Sequence, residues 1–237
     1  MKEITHKGLT RLVGSHWSHI IDNENLQILE LSSIEPDTIK REGLNKGMFE
    51  ALINGMGWVT EHTDRAKELS IQNINKASEA YISGNASWSR WLGWSFHFIT
   101  DWLTPYHSLE SMKEYMLESK NDLGNKKYKD GWKVVMAILN GISSIFEFIT
   151  EHDEFEEICE EYWQQNEILV KDNFIKFKKE TINSVDQALF SELMDKLRAK
   201  YENKNLEWIR DCSNQEFIDF MMDIAKVMDI ACQIVLE

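Results

Sequence analysis

The chain of 237 residues is long enough to bury a sizeable core, and its 43% hydrophobic and 11% aromatic content excludes an intrinsically disordered polymer. A formal charge of −14 argues against a generic nucleic-acid surface, because phosphate backbones are gripped by Lys and Arg. It weighs less against a small anionic substrate, since bound divalent cations reverse the field locally.

Only 2 prolines interrupt the chain, and long stretches have helical periodicity, which predicts an all-α fold. Apolar residues at Leu9, Leu12, Val13, Trp17 and Ile20 predict a helix from about Ile4 to Ile21, with Gly8 and Gly14 as weak points. Asp22-Asn23 reads as a break and N-cap before a second helix through Asn25, Leu26, Ile28, Leu29 and Leu31. Ser32-Ser33 and then Pro36 close it, because the residue before a proline avoids helical geometry. Residues 40–60 contain Gly43, Gly47, Gly55 and Gly57 and fit no single element. A helix is expected from near Thr63 to Ile82, stopped by Ser83-Gly84-Asn85, and another from near Ala86 to the Pro105 region. Gly124 and the basic run Asn125 to Lys129 read as a solvated loop. The pattern is helical again from Trp132 to about Val170, either continuous or with a break near Glu151. Two further helices are expected, Ile182 to Tyr201 and Asn214 to Leu236. There is no internal repeat and no low-complexity linker, so residues 1–237 read as a single multi-helix domain.

Cys159, Cys212 and Cys232 are widely spaced and odd in number, with no CxxC pair, so neither a disulfide framework nor a thiolate zinc site is expected. They are expected to be small buried apolar residues. No basic start followed by an apolar run occurs at the N-terminus, so no signal peptide is visible. No stretch approaches the roughly 18 apolar residues of a membrane span. The expectation is a soluble chain, cytoplasmic as given, or secreted if a leader was removed before the numbering begins.

The chain has 7 histidines, and the chemistry lies in how they sit relative to carboxylates. His97 and Asp101 are spaced i,i+4 in a predicted helix, so both project from one face and can close on one cation with ligand distances of about 2 Å. That helix is apolar and aromatic (Trp94, Phe96, Phe98, Trp102), and an acid with a histidine is costly to bury there unless something pairs with them. His107 follows just after Pro105, which would end the helix and let the chain fold back. His152 and Glu156 repeat the i,i+4 geometry, although their acidic surroundings are explained about as well by a solvated face. Pro36 directly precedes Asp37, so both prolines lie beside candidate ligands. His16 and His19 read as a helix-surface or interface pair, with ion binding as the alternative, and the tryptophans Trp88, Trp91, Trp94 and Trp102 read as core, with contact to a lipid or base as the alternative.

The order Gly93-x3-His97-x3-Asp101-x5-His107, with Thr104-Pro105-Tyr106 inside it, resembles the central motif of the zinc-dependent phospholipase C and S1/P1 nuclease superfamily. Thr5-His6-x2-Leu9 resembles that family's N-terminal helix start, and Asn25-Leu26 through Ile34-Glu35-Pro36-Asp37 resembles its helix ending in a Pro-Asp turn. His62 stands where a histidine follows the turn, and His152-x3-Glu156 is similar to its closing motif. The resemblance covers roughly residues 5–160, leaving the C-terminal helices of residues 180–237 outside it.

The resemblance implies a mostly helical domain with two or three zinc ions. One ion would take Asp37, His62, His97 and Asp101, and a second His107, His152 and Glu156. A third would take His6 and a bridging Asp101, with His16 as the weaker alternative to His6 because it leaves little chain before the Asn25 helix. The family's N-terminal tryptophan ligand is absent, since Met1 lies five residues before His6. Thr38 stands where choline-preferring relatives have an aromatic residue. The activity implied is phosphoester hydrolysis with a metal-activated water, Asp37 orienting or deprotonating it, in a phosphodiesterase of phospholipase C type. A nuclease or phosphomonoesterase is the alternative within the same chemistry, and a non-catalytic helical metal-binding protein is the alternative outside it. The implied partner is a phosphoester substrate, a phospholipid at a membrane surface among them, with nucleic acid less favoured by the charge.

Overall fold

The computed structural model describes residues 2–37, 65–105, 130–176 and 187–237, with residues 130–149 and 187 described by their backbone. Every regular element among them is helical: α1 (Glu3–His16), α2 (Asn23–Ser32), α3 (Ala66–Ile82), α4 (Trp88–Leu103), α5 (Asp130–Lys176), α6 (Gln187–Tyr201), α7 (Leu206–Asp211) and α8 (Asn214–Leu236). The all-α expectation is met, and one contiguous hydrophobic core takes side chains from α1 through α8.

The helix boundaries follow local chemistry. The Asp22 carboxylate accepts from the backbone N–H of Asn25 at 2.8 Å, capping α2 where the sequence placed a cap. Gly84 turns the chain between α3 and α4 with φ of +71°, a left-handed value that disfavours a side chain. Ser213 and Glu216 form a reciprocal capping box that opens α8. Short α7 was not expected from periodicity, and its sequence signal is the Asn205 side chain, which accepts from Trp208 N–H at 3.0 Å.

A break near Glu151 does not occur, because α5 runs unbroken through it. No Gly or Pro interrupts residues 142–176, and the acidic run Glu151 to Glu161 interleaves with a buried stripe at Phe155, Cys159, Trp163, Val170 and Phe174. Helix α8 is buried around most of its circumference and packs against α1, α3, α4, α5 and α6, which makes it the central helix.

Two glycines in helices mark close crossings. A Cβ at Gly8 would lie 2.5 Å from the Trp163 ring, where α1 meets α5. A Cβ at Gly93 would lie 2.7 Å from the Leu29 carbonyl and 2.7 Å from Ser32 Cβ, where α4 crosses α2. The three cysteines are free and buried, as expected of small apolar residues.

Candidate metal centre

The close crossing at Gly93 places one face of α4 against the end of α2 and the turn that follows it. Residues 90, 94, 97 and 101 recur at helical spacing along that face. Arg90 makes a bidentate pair with the Glu35 carboxylate, and Trp94 Nε1–H donates to Glu35 Oε2 at 2.8 Å. One turn on, His97 Nδ1–H donates to the Ser33 carbonyl at 2.9 Å. The segment Ser33 to Asp37 is thereby pinned to α4 at two levels, and Asp37 is delivered to the next level down.

There His97 Nε2 lies 3.1 Å from Asp101 Oδ2 and 3.7 Å from Asp37 Oδ1. Helix α1 closes the cluster from the other side. The His6 ring stacks on His97 with centroids 4.7 Å apart, and its Nε2 is 3.9 Å from Asp101 Oδ1. One ligand atom each from His6, Asp37 and His97 lie within 4.8 Å of one another. The Asp101 carboxylate spans the two imidazoles, with one oxygen toward each.

Burial separates the roles. His6, His97 and Asp101 are at most 1% exposed, whereas the Asp37 side chain is 26% exposed. Neither ring nitrogen of His6 has a hydrogen-bond partner among the described residues. A buried polar atom left in that state costs about 1–3 kcal/mol, so a cation at this position would satisfy a group the protein itself does not. His97 meets the second requirement of a ligand, since its Nδ1 is committed to a backbone carbonyl and its Nε2 is left toward the cluster.

The two imidazoles are driven apart in protonation. Burial pulls the His6 imidazolium down to about 3. Burial acts on His97 in the same direction, but the carboxylates of Asp101 and Asp37 outweigh it and raise it to about 9. Without metal, His97 holds a proton between two carboxylates, in a position where a dication would replace it.

A second group lies on α5. His152 Nε2 is 3.3 Å from Glu156 Oε1, and His152 Nδ1 is 3.7 Å from Asp153 Oδ1. His152 and Glu156 are 8% and 9% exposed, so the solvated-face reading does not describe them. Helix α1 runs parallel to α5 here, with Lys2 on Glu157 and the Ile4 backbone N–H on Glu160 at 3.0 Å. The His152 to Glu156 turn therefore lies beside the N-terminal end of the helix that supplies His6.

Of the ligands implied by resemblance, His6, Asp37, His97 and Asp101 come together in one cluster and His152 with Glu156 in another. His62 and His107 lie outside the described residues. His16, the alternative to His6, is ten residues and about 15 Å further along α1 and bonds Asp229 instead. His19 stacks on Trp17 rather than pairing with His16. Trp88 is buried and Trp91 and Trp102 pack against the core, while Trp94 serves the Glu35 clamp.

Ser33, Glu35, Arg90 and Arg198 had not been singled out from sequence. Ser33 acts through its carbonyl, which no side-chain pattern reveals. Glu35 acts one residue before the Pro36-Asp37 pair, and the Glu35-Pro36-Asp37 run is a signal that could have found it. Arg198 on α6 donates to the Trp102 carbonyl and stacks on the Trp102 ring at 4.9 Å, satisfying the C-terminus of the helix that carries His97 and Asp101. No family model, curated protein or solved structure matches the chain.

Proposed function

We propose that the chain is a zinc-dependent phosphoester hydrolase, a phosphodiesterase of phospholipase C type. The observation that carries the reading is the buried cluster of His6, Asp37, His97 and Asp101, in which the His6 ring nitrogens have no protein partner.

The donor set fits zinc. Imidazole nitrogen and carboxylate oxygen are both zinc ligands, and two carboxylates with two neutral imidazoles match the charge of one dication. His6, Asp37, His97 and Asp101 would hold it. His152 and Glu156 would hold a second ion beside the start of α1. Zinc, when bound, neutralises charge on phosphoryl oxygens and lowers the pKa of a water toward neutrality.

The chain's own residues supply the rest. Asp37 is the carboxylate of the cluster that reaches solvent, so it orients the attacking water and accepts its proton. Ser33 and Glu35, clamped by His97, Arg90 and Trp94, hold Asp37 in register with the cluster. His6 and Asp101 are dry, which strengthens their interaction with any charge placed between them.

The test is hydrolysis of a chromogenic phosphodiester by zinc-loaded protein. Activity is expected to disappear on chelation and return with zinc, and Asp37→Asn is expected to lower kcat by about 10²- to 10⁴-fold. Activity unaffected by chelation would overturn the reading.

A further inference from the structure

At the far end of α1 lies a cavity of about 450 Å³, lined by Arg11, Leu12, Ser15, His16, Lys171, Phe174 and Ile175. Its volume falls within the roughly 300–1,000 Å³ of small-molecule sites. In a chain of formal charge −14, this lining includes Arg11, His16 and Lys171 and no carboxylate.

We propose that this cavity binds a single-chain amphiphile with an anionic head group, an alkyl phosphate or alkyl carboxylate. The charged head lies against Arg11 and Lys171, and the chain against the His16 ring, Leu12, Phe174 and Ile175.

His16 is a built part of the site. Its Nδ1–H donates to Asp229 Oδ1 at 3.0 Å, and that carboxylate, 1% exposed on the central helix, also accepts from Trp17 Nε1–H at 2.7 Å. The Phe174 ring meets the imidazole edge-on at 5.4 Å. These contacts fix the ring as the Nδ1–H tautomer, so Nε2, on a side chain that is 33% exposed, is an acceptor and the ring serves the site as a wall, not as an anion donor.

The two cations keep donors in reserve. Arg11 spends Nε and Nη2 on Glu30, and its Nη1 has no partner among the described residues. Lys171 has an exposed i,i+4 pair with Glu167 at 2.8 Å, a contact of the kind that an incoming anion competes with readily. The apolar half of the ligand is indicated by Leu12 and Phe174 and by Ile175, which is 75% exposed at the rim. Ile168 and Leu169 on the same helix are also exposed, so an apolar chain leaving the cavity would meet further apolar surface.

Calorimetric titration of the full chain with octyl phosphate and octanoate, against inorganic phosphate and octanol, tests the proposal. At least one amphiphile is expected to saturate a single site, with inorganic phosphate and octanol each weaker by about tenfold or more. Lys171→Glu, at a side chain that is 39% exposed, is expected to weaken binding about tenfold. Asp37→Asn is expected to leave binding unchanged, because that residue belongs to the metal cluster at the other end of α1. No saturable binding of either amphiphile would overturn the proposal. So would binding that survives Lys171→Glu but is lost in Asp37→Asn.

Discussion

His6 and His97 stack at 4.7 Å with both rings buried, yet one is pushed to about 3 and the other to about 9. Burial dominates at His6, whereas Asp101 and Asp37 overrule it at His97. Two imidazoles in one cluster thus differ because only one of them has a carboxylate within hydrogen-bond reach.

That contrast predicts the pH dependence of the metal-free protein. His6 is lowered on folding, so its contribution is lost as pH falls from about 6.5 toward about 3. His97 is raised on folding, so its contribution is full below about 6.5 and lost as pH rises toward about 9. Melting temperature of the chelated protein is expected to peak near pH 6.5 and decline on both sides. In His97→Gln the alkaline decline should flatten, and an unchanged alkaline limb would show that His97 does not titrate as described.

Gly93 sets the distance between α4 and α2. Gly93→Ala puts a Cβ against the Leu29 carbonyl and Ser32, where backbone must give way. Denaturant titration is expected to show a loss of about 1–3 kcal/mol, and zinc affinity should fall with it as His97 is moved from Ser33.

Glu35 ties the helical residues Pro36 and Asp37 to Arg90 and Trp94. The Arg90 and Glu35 side chains are 49% and 28% exposed, so solvent screens the pair and Glu35→Ala should cost stability about 1 kcal/mol. Its effect on zinc affinity should be larger, about tenfold or more, because it frees the segment that delivers Asp37. Equal small effects on both would assign Glu35 to the surface alone.

How far the sequence carried these features depended on how local their physics is. Helices α1 to α4, α6 and α8 announced themselves through periodicity and caps such as Asp22, because those signals lie within a few residues. The i,i+4 pairs His97/Asp101 and His152/Glu156 were legible for the same reason, one turn of helix sufficing to place both side chains. The assembly of His6, Asp37 and His97 was not, since it depends on α1 and the residue 33–37 segment converging on α4 from distant parts of the chain. Resemblance suggested the members, but the Ser33 carbonyl and the Arg198 cap emerge only from tertiary packing. The continuity of α5 across Glu151 was left open by the sequence, and it is the buried stripe from Phe155 to Phe174 that carries the helix on.

Elemental analysis of purified protein, alongside chromogenic phosphodiester hydrolysis, tests the central claim most directly. The account predicts zinc bound in stoichiometric amount, with metal and activity lost together in His97→Ala while the helical content is retained. A fully folded protein that takes up no zinc even when it is supplied, and hydrolyses no phosphoester, would contradict it.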